Sequence, residues 1–147
     1  MADVHEPSVR SYNMSRVKSK DTKPEIQVRK YLHAAGFRYT LLGKYKGKKL
    51  PGKPDLTLPA YKTVVFVHGC FWHAHKGCKY FKIPETRRDF WTNKLFGNRE
   101  RDLKNENELK ERGWRVFVVW TCELKTKELA EETLLRLEEK LSSLRPK

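Results

Sequence analysis

The chain has 147 residues, enough for one domain with one real core and too few for two. Hydrophobic residues make up 38%, which excludes a disordered chain, while 32 Lys and Arg against 18 Asp and Glu leave a formal charge of +14, more than solubility needs. A polyanionic partner is expected, nucleic acid first; no apolar run approaches the roughly 20 residues of a membrane span and Met1–Pro7 lack the apolar core of a signal peptide, so a cytoplasmic, nucleoid-associated, bacterial-type protein is expected.

The first 20 residues carry Arg10, Arg16, Lys18 and Lys20 with little periodicity and read as a flexible basic arm, leaving residues 21–147 as a single domain. Asp21 or Thr22 caps a helix opened by Pro24 and Glu25, and Val28, Tyr31, Leu32 and Ala35 keep helical spacing up to Gly36, giving a helix over 23–35. Phe37, Tyr39 and Leu41 alternate with Arg38, Thr40 and Leu42 as a half-buried strand would, and Gly43 to Lys49 reads as a basic turn. Asp55–Leu58 and Thr63–Val67 form a hairpin around Pro59 and Ala60, the second strand being apolar and β-branched enough for a sheet centre. Helix signals run from Pro84 to Arg112, broken in two at Gly97 and Asn98. Trp114–Trp120 is a further apolar strand whose two tryptophans belong to the core, and Leu124–Leu144 is an amphipathic helix with Leu129, Leu137, Leu141 and Leu144 on its apolar side. The order implies an α/β sandwich with a central mixed β-sheet flanked by helices.

Cys70, His75 and Cys78 form C-x4-H-x2-C, compact enough to ring one ion, and Cys122 follows directly after the strand ending at Trp120. Three thiolates and one imidazole suit Zn2+, and four protein ligands close the site, so its role is structural. The competing readings are ordinary buried cysteines and His73 in place of His75. A zinc deaminase is excluded, because no Glu stands two residues after His73 or His75 and there is no C-x-x-C.

Asp55 at the start of a strand suits Mg2+, a hard ion that takes oxygen ligands and keeps several waters. No Glu-x-Lys stands on the following strand, where Phe66-Val67-His68 is found instead. His73 is then the candidate general base, with an unperturbed pKa of about 6.5 that suits proton abstraction near neutral pH. Glu25, on the first helix, can hold metal-bound water from the other side.

Several motifs occur together: Met14-Ser15-Arg16, Asp21-Thr22-Lys23-Pro24-Glu25, Pro51-Gly52-Lys53-Pro54-Asp55, His68-Gly69-Cys70-Phe71-Trp72-His73, Phe90-Trp91, Gly113-Trp114-Arg115-Val116 and Trp120-x-Cys122. Over residues 10–123 the chain resembles the very-short-patch mismatch repair endonucleases. The resemblance implies a restriction-endonuclease-like fold, Asp55 as Mg2+ ligand, His73 as general base, Glu25 and His68 as supporting groups, and Cys70, His75, Cys78 and Cys122 around zinc. It implies recognition of a T:G mispair left by deamination of 5-methylcytosine in duplex DNA, and a nick on the 5′ side of the mispaired T. Val67 departs from the Thr common before the family's His-Gly-Cys, so a Mg2+ contact there falls to its main-chain carbonyl. The loop His73-Ala74-His75-Lys76-Gly77-Cys78 is one residue longer than in some members.

Phe71 and Trp72 read either as core around the zinc loop or as a wedge into a base step, and unstacking costs least at a mispair; the resemblance adds Trp91 to the wedge. Met14 is a candidate for groove insertion. Between Arg10 and Lys53, 13 Lys or Arg face only Asp21 and Glu25, so Arg16, Lys53 and their neighbours are expected to meet phosphates. A monomer suffices to nick one strand, with mismatch-repair proteins as possible partners. The rival readings are a related nickase of other specificity, a non-catalytic zinc-stabilised DNA-binding module and an RNA-binding protein, the last disfavoured because the aromatics cluster in a loop and helix start and not on an open sheet.

Overall fold

The computed structural model describes residues 22–41 and 43–144. Met14, Arg16 and the basic arm lie outside them.

Helix α1 spans Lys23–Ala34, with the Thr22 hydroxyl accepting from the Glu25 N–H at 3.4 Å and Pro24 in the first turn. It ends at Gly36, whose φ of 95° only glycine adopts without strain. Residues 37–41 do not form the expected strand: Thr40 alone pairs with Thr57, as an isolated antiparallel bridge. The alternation arises because Phe37 packs into the core and the Tyr39 hydroxyl donates back to the Arg29 carbonyl at 3.2 Å. The stretch expected as a basic turn is a small hairpin, β1 (Lys44–Tyr45) and β2 (Lys48–Lys49).

Strand β3 (Leu56–Leu58) pairs antiparallel with β4 (Thr63–His68) across a 3-10 turn at Pro59–Tyr61, as expected. Strand β5 (Arg115–Trp120) runs parallel to β4 from Thr63↔Arg115 to His68↔Trp120. The sheet order β3-β4-β5 puts β4 at the centre, and all six of its residues are buried. The crossover between the parallel strands carries α2, one helix from Arg88 to Glu111. Gly97 and Asn98 do not break it: a helical glycine costs only about 1 kcal/mol, and fully buried Leu95 and Leu109 anchor the helix on either side. Helix α3 (Lys127–Ser142) starts at Thr126, whose hydroxyl accepts from the Leu129 N–H at 3.1 Å. Its buried stripe is Ala130, Thr133, Leu134, Leu137 and Leu141, whereas Leu129 is exposed.

Alternation along β4 divides the core. Val65 and Val67 join Val28, Leu32, Leu134, Leu137 and Leu141 under α1 and α3, while Val64 and Phe66 join Leu50, Leu109 and Trp114 under α2. The result is a mixed sheet between two helical layers. Among the described residues no helix is long and apolar enough to cross a membrane.

Candidate functional site

The chemistry gathers where β4 ends. Because β3 and β4 are antiparallel, the residue before β3 lies beside the last turn of β4, and the Val67 N–H donates to Asp55 Oδ2 at 2.6 Å. Glu25, buried on the first turn of α1, accepts from Arg29 Nη2 at 3.2 Å and stands next to Asp55. Burial, and then the neighbouring Glu25 carboxylate, push Asp55 up to about 7, although the Val67 N–H and His73 pull the other way. Two carboxylates crowded out of water are an unfavourable arrangement for a bare protein. They form a fitting donor set for a hard divalent cation, which relieves both the burial and the mutual repulsion.

His68, the last residue of β4, is buried, and burial followed by the charge of His73 pushes it down to about 4, so it is neutral at physiological pH. The His73 ring lies on it, with centroids 3.9 Å apart and planes 5° from parallel. His73 Nδ1 meets Asp102 Oδ2 at 2.6 Å. A carboxylate at that distance accepts the Nδ1 proton, which leaves the lone pair on Nε2, the tautomer a general base requires. His68, His73 and Asp102 lie within 4.8 Å of one another, yet they are a poor single-ion site. Imidazole lone pairs lie in the ring planes, and two parallel, stacked planes cannot both contain one ion. The trio has the geometry of a base and its supports. It lines a cavity of about 170 Å³ together with Arg99, Glu106 and Trp120.

Cys70, His75, Cys78 and Cys122 form a second cluster, also with donor atoms within 4.8 Å of one another. The structure selects His75 for this group and not His73. Cys122 Sγ to His75 Nδ1 is 3.5 Å, close to the sulfur–nitrogen edge of about 3.5 Å that tetrahedral zinc with Zn–S of about 2.3 Å would impose. Burial, then the Cys70 and Cys78 thiols, push Cys122 up to about 12, the cost of crowding thiols that a soft cation removes. Cys70 Sγ accepts from the Cys122 N–H at 3.4 Å and the Thr121 hydroxyl at 3.5 Å, which orients it as zinc ligands are oriented. The His75 ring stacks on Trp120, centroids 3.9 Å apart. Trp120 is therefore a half-buried wall between the two histidine sites and not a core residue, while Trp114 is core as expected.

Phe71, Trp72 and Trp91 form one half-exposed ring cluster with centroids 5.1–6.0 Å apart, extended by Phe90. They are outside both core clusters. Helix α2, which itself carries Phe90 and Trp91, grips the loop that bears Phe71 and Trp72: Asn98 Nδ2 donates to the Trp72 carbonyl at 2.9 Å, Arg99 donates through Nε (2.9 Å) and Nη2 to the Ala74 carbonyl, and Asp102 holds His73. Ala74 is buried with φ 49°, a left-handed conformation for a non-glycine residue that this clamp sustains. Lys53 is exposed and also left-handed, two residues before Asp55.

The sequence reading missed Asp102, Asn98 and Arg99. One uninterrupted helix puts Trp91, Leu95, Asn98, Asp102 and Glu106 on neighbouring turns of one face. Dividing that helix at Gly97 hid the signal.

Comparison with known proteins fits this site. The family model described as DNA mismatch endonuclease Vsr matches residues 2–79. The type II nicking enzyme V.NmeAIP of Neisseria meningitidis serogroup A is 50% identical over 137 residues, 93% of this chain and 94% of that protein. The type II nicking enzyme V.XorIIP of Xanthomonas oryzae pv. oryzae is 48% identical over 124 residues, 84% and 88% of the two chains. The DNA mismatch endonuclease Vsr of Escherichia coli K12 is 43% identical over 141 residues, 95% and 87%. The class these relatives and the site define is a DNA endonuclease. Within that class, the chain belongs to the Vsr family of DNA mismatch endonucleases.

Proposed function

We propose that this protein nicks duplex DNA on the 5′ side of the T in a T:G mispair, using a restriction-endonuclease-like domain. The observation that carries the reading is the meeting, at one end of β4, of half-buried Asp55 and buried Glu25 with the His73–Asp102 pair, beside a loop that also bears the half-exposed rings of Phe71 and Trp72. Asp55 and the Val67 main-chain carbonyl are the residues to hold Mg2+, with Glu25 beside them; a cation there supplies neutralising charge to the phosphate in the transition state. His73 Nε2 takes the proton from the attacking water as its oxygen bonds to phosphorus. The phosphorus–O3′ bond breaks, leaving a 3′-hydroxyl and a 5′-phosphate. Asp102 holds the His73 tautomer and stabilises the cation formed, and neutral His68 packs against the ring and excludes water.

Cys70, His75, Cys78 and Cys122 would hold zinc, and so bound they would tie the loop after β4 to the end of β5 and steady His73. Phe71, Trp72 and Trp91 enter the base step at the mispair, where unstacking costs least. Lys53, with Arg16 and Met14 of the N-terminal segment, adds DNA contacts. The protein acts as a cytoplasmic monomer that hands its nick to repair synthesis, with mismatch-repair proteins as candidate partners. A second reading keeps the chemistry and changes the flanking sequence, because the relatives at 50% and 48% identity are named type II nicking enzymes.

The test is a strand-labelled duplex with one T:G pair in a CT(A/T)GG context beside T:A and C:G controls, with and without Mg2+. The expected result is a Mg2+-dependent nick 5′ to the mispaired T alone. Cutting of all three duplexes would remove mismatch specificity, cutting only in other contexts would favour the second reading, and binding without cutting would make the protein a zinc-stapled DNA-binding module.

A further inference from the structure

The β1–β2 hairpin takes no part in the site above. Its strands are joined by Lys46-Gly47, with φ of 51° and 79°, the pair of positive values that type I′ turns use to match strand twist. Such a tip is short and stiff. Its root is packed: Tyr45 meets Trp114 edge-on at 4.9 Å, Lys62 Nζ covers both rings at 4.8 and 4.9 Å, and the Leu50 N–H donates to the Gly43 carbonyl at 2.8 Å. A Cβ on Gly43 would stand 3.2 Å from Lys53 Cα, so the root abuts the loop that delivers Asp55 two residues later.

The charge on this element works against the fold. Lys44, Lys46, Lys48 and Lys49 are all exposed, and the register sets Lys44 directly opposite Lys49. Like charges facing across two strands destabilise a hairpin, and among the described residues no carboxylate forms an ion pair with any of the four. A stiff, anchored element that concentrates unopposed cations beside a phosphodiesterase centre gains from its charge only when a polyanion is bound.

We propose that the β1–β2 hairpin is a clamp for the DNA backbone, its four lysines neutralising successive phosphates of the duplex on the Asp55 side of the scissile bond. The proposal rests on the reading of the chain as a DNA endonuclease and adds to it a sequence-independent contact separate from the aromatic cluster.

The test is binding of matched and T:G duplexes of about 20 base pairs over a salt series. Lys46→Gln/Lys48→Gln is expected to weaken binding of both duplexes equally, by about 10- to 30-fold near 0.15 M salt, and to reduce the slope of log affinity against log salt by about 2. Lys127→Gln/Lys140→Gln, which removes the same charge from exposed positions on α3, is the control and should leave the slope in place. The second pair, Lys44→Gln/Lys49→Gln, removes the facing charges and should raise the thermal midpoint while weakening binding, a combination that misfolding cannot produce. An unchanged affinity and slope in both hairpin variants, or an equal loss in the α3 control, overturns the proposal. A wild-type protein that binds both duplexes alike, with the hairpin effects intact, removes the mismatch reading and leaves the clamp standing.

Discussion

The middle and the end of the central strand β4 show how differently one element is used. In its middle, Val65 packs among Leu32, Leu134, Leu137 and Leu141, an aliphatic layer in which any residue of suitable volume serves. At its end, within a few residues, come an Asp raised to about 7, a His lowered to about 4, a three-cysteine cluster and a clamped left-handed alanine. The first region holds the protein together; the second is a set of crowded polar groups that the first holds in place. Substitutions should therefore divide cleanly between stability and rate.

A large effect on rate is expected from His73→Ala. Loss of a general base lowers single-turnover nicking by about 10²- to 10⁴-fold, with a thermal midpoint close to wild type because the ring is half-exposed. Leu134→Ala is the opposite case: truncating a buried leucine costs about 2–5 kcal/mol in urea unfolding and leaves the rate of the remaining folded protein unchanged. If either variant moved both readouts equally, the division between the two regions would fail.

How far the sequence shows these regions follows from the physics of each. The cores under α1 and α3 repeat at 3.6 and 2 residues, so α1, β3, β4 and β5 were legible. The Cys/His cluster was legible because close Cys and His spacing is itself a geometric constraint, and Cys122 because it directly follows a strand. The lysine hairpin was not, since its strands are two residues long and have no apolar face to alternate. Asp102 was not, because its partner lies 29 residues away and nothing local marks an acid on a charged helix as the one that turns inward.

A smaller and sharper effect concerns pH. With no divalent cation present, Asp55, raised from its usual value near 4 to about 7, contributes stability that is lost as pH rises across that interval. His68, lowered from about 6.5 to about 4, contributes stability that is lost as pH falls across nearly the same interval. The two slopes oppose each other in the wild type. Asp55→Asn removes one of them, so its stability in Mg2+-free buffer should fall from about pH 6.5 to about pH 4 more steeply than that of wild type. A parallel pair of curves would mean that Asp55 is not strained in the free protein.

The most direct measurement compares wild type and Asp55→Ala on one labelled T:G duplex, scoring binding and cutting in the same samples. Asp55→Ala is expected to bind at least as tightly, because a carboxylate facing phosphate is gone, and to cut nothing with Mg2+ present. Cutting by Asp55→Ala at the wild-type position and rate would contradict the assignment of the β4 end as the nuclease centre.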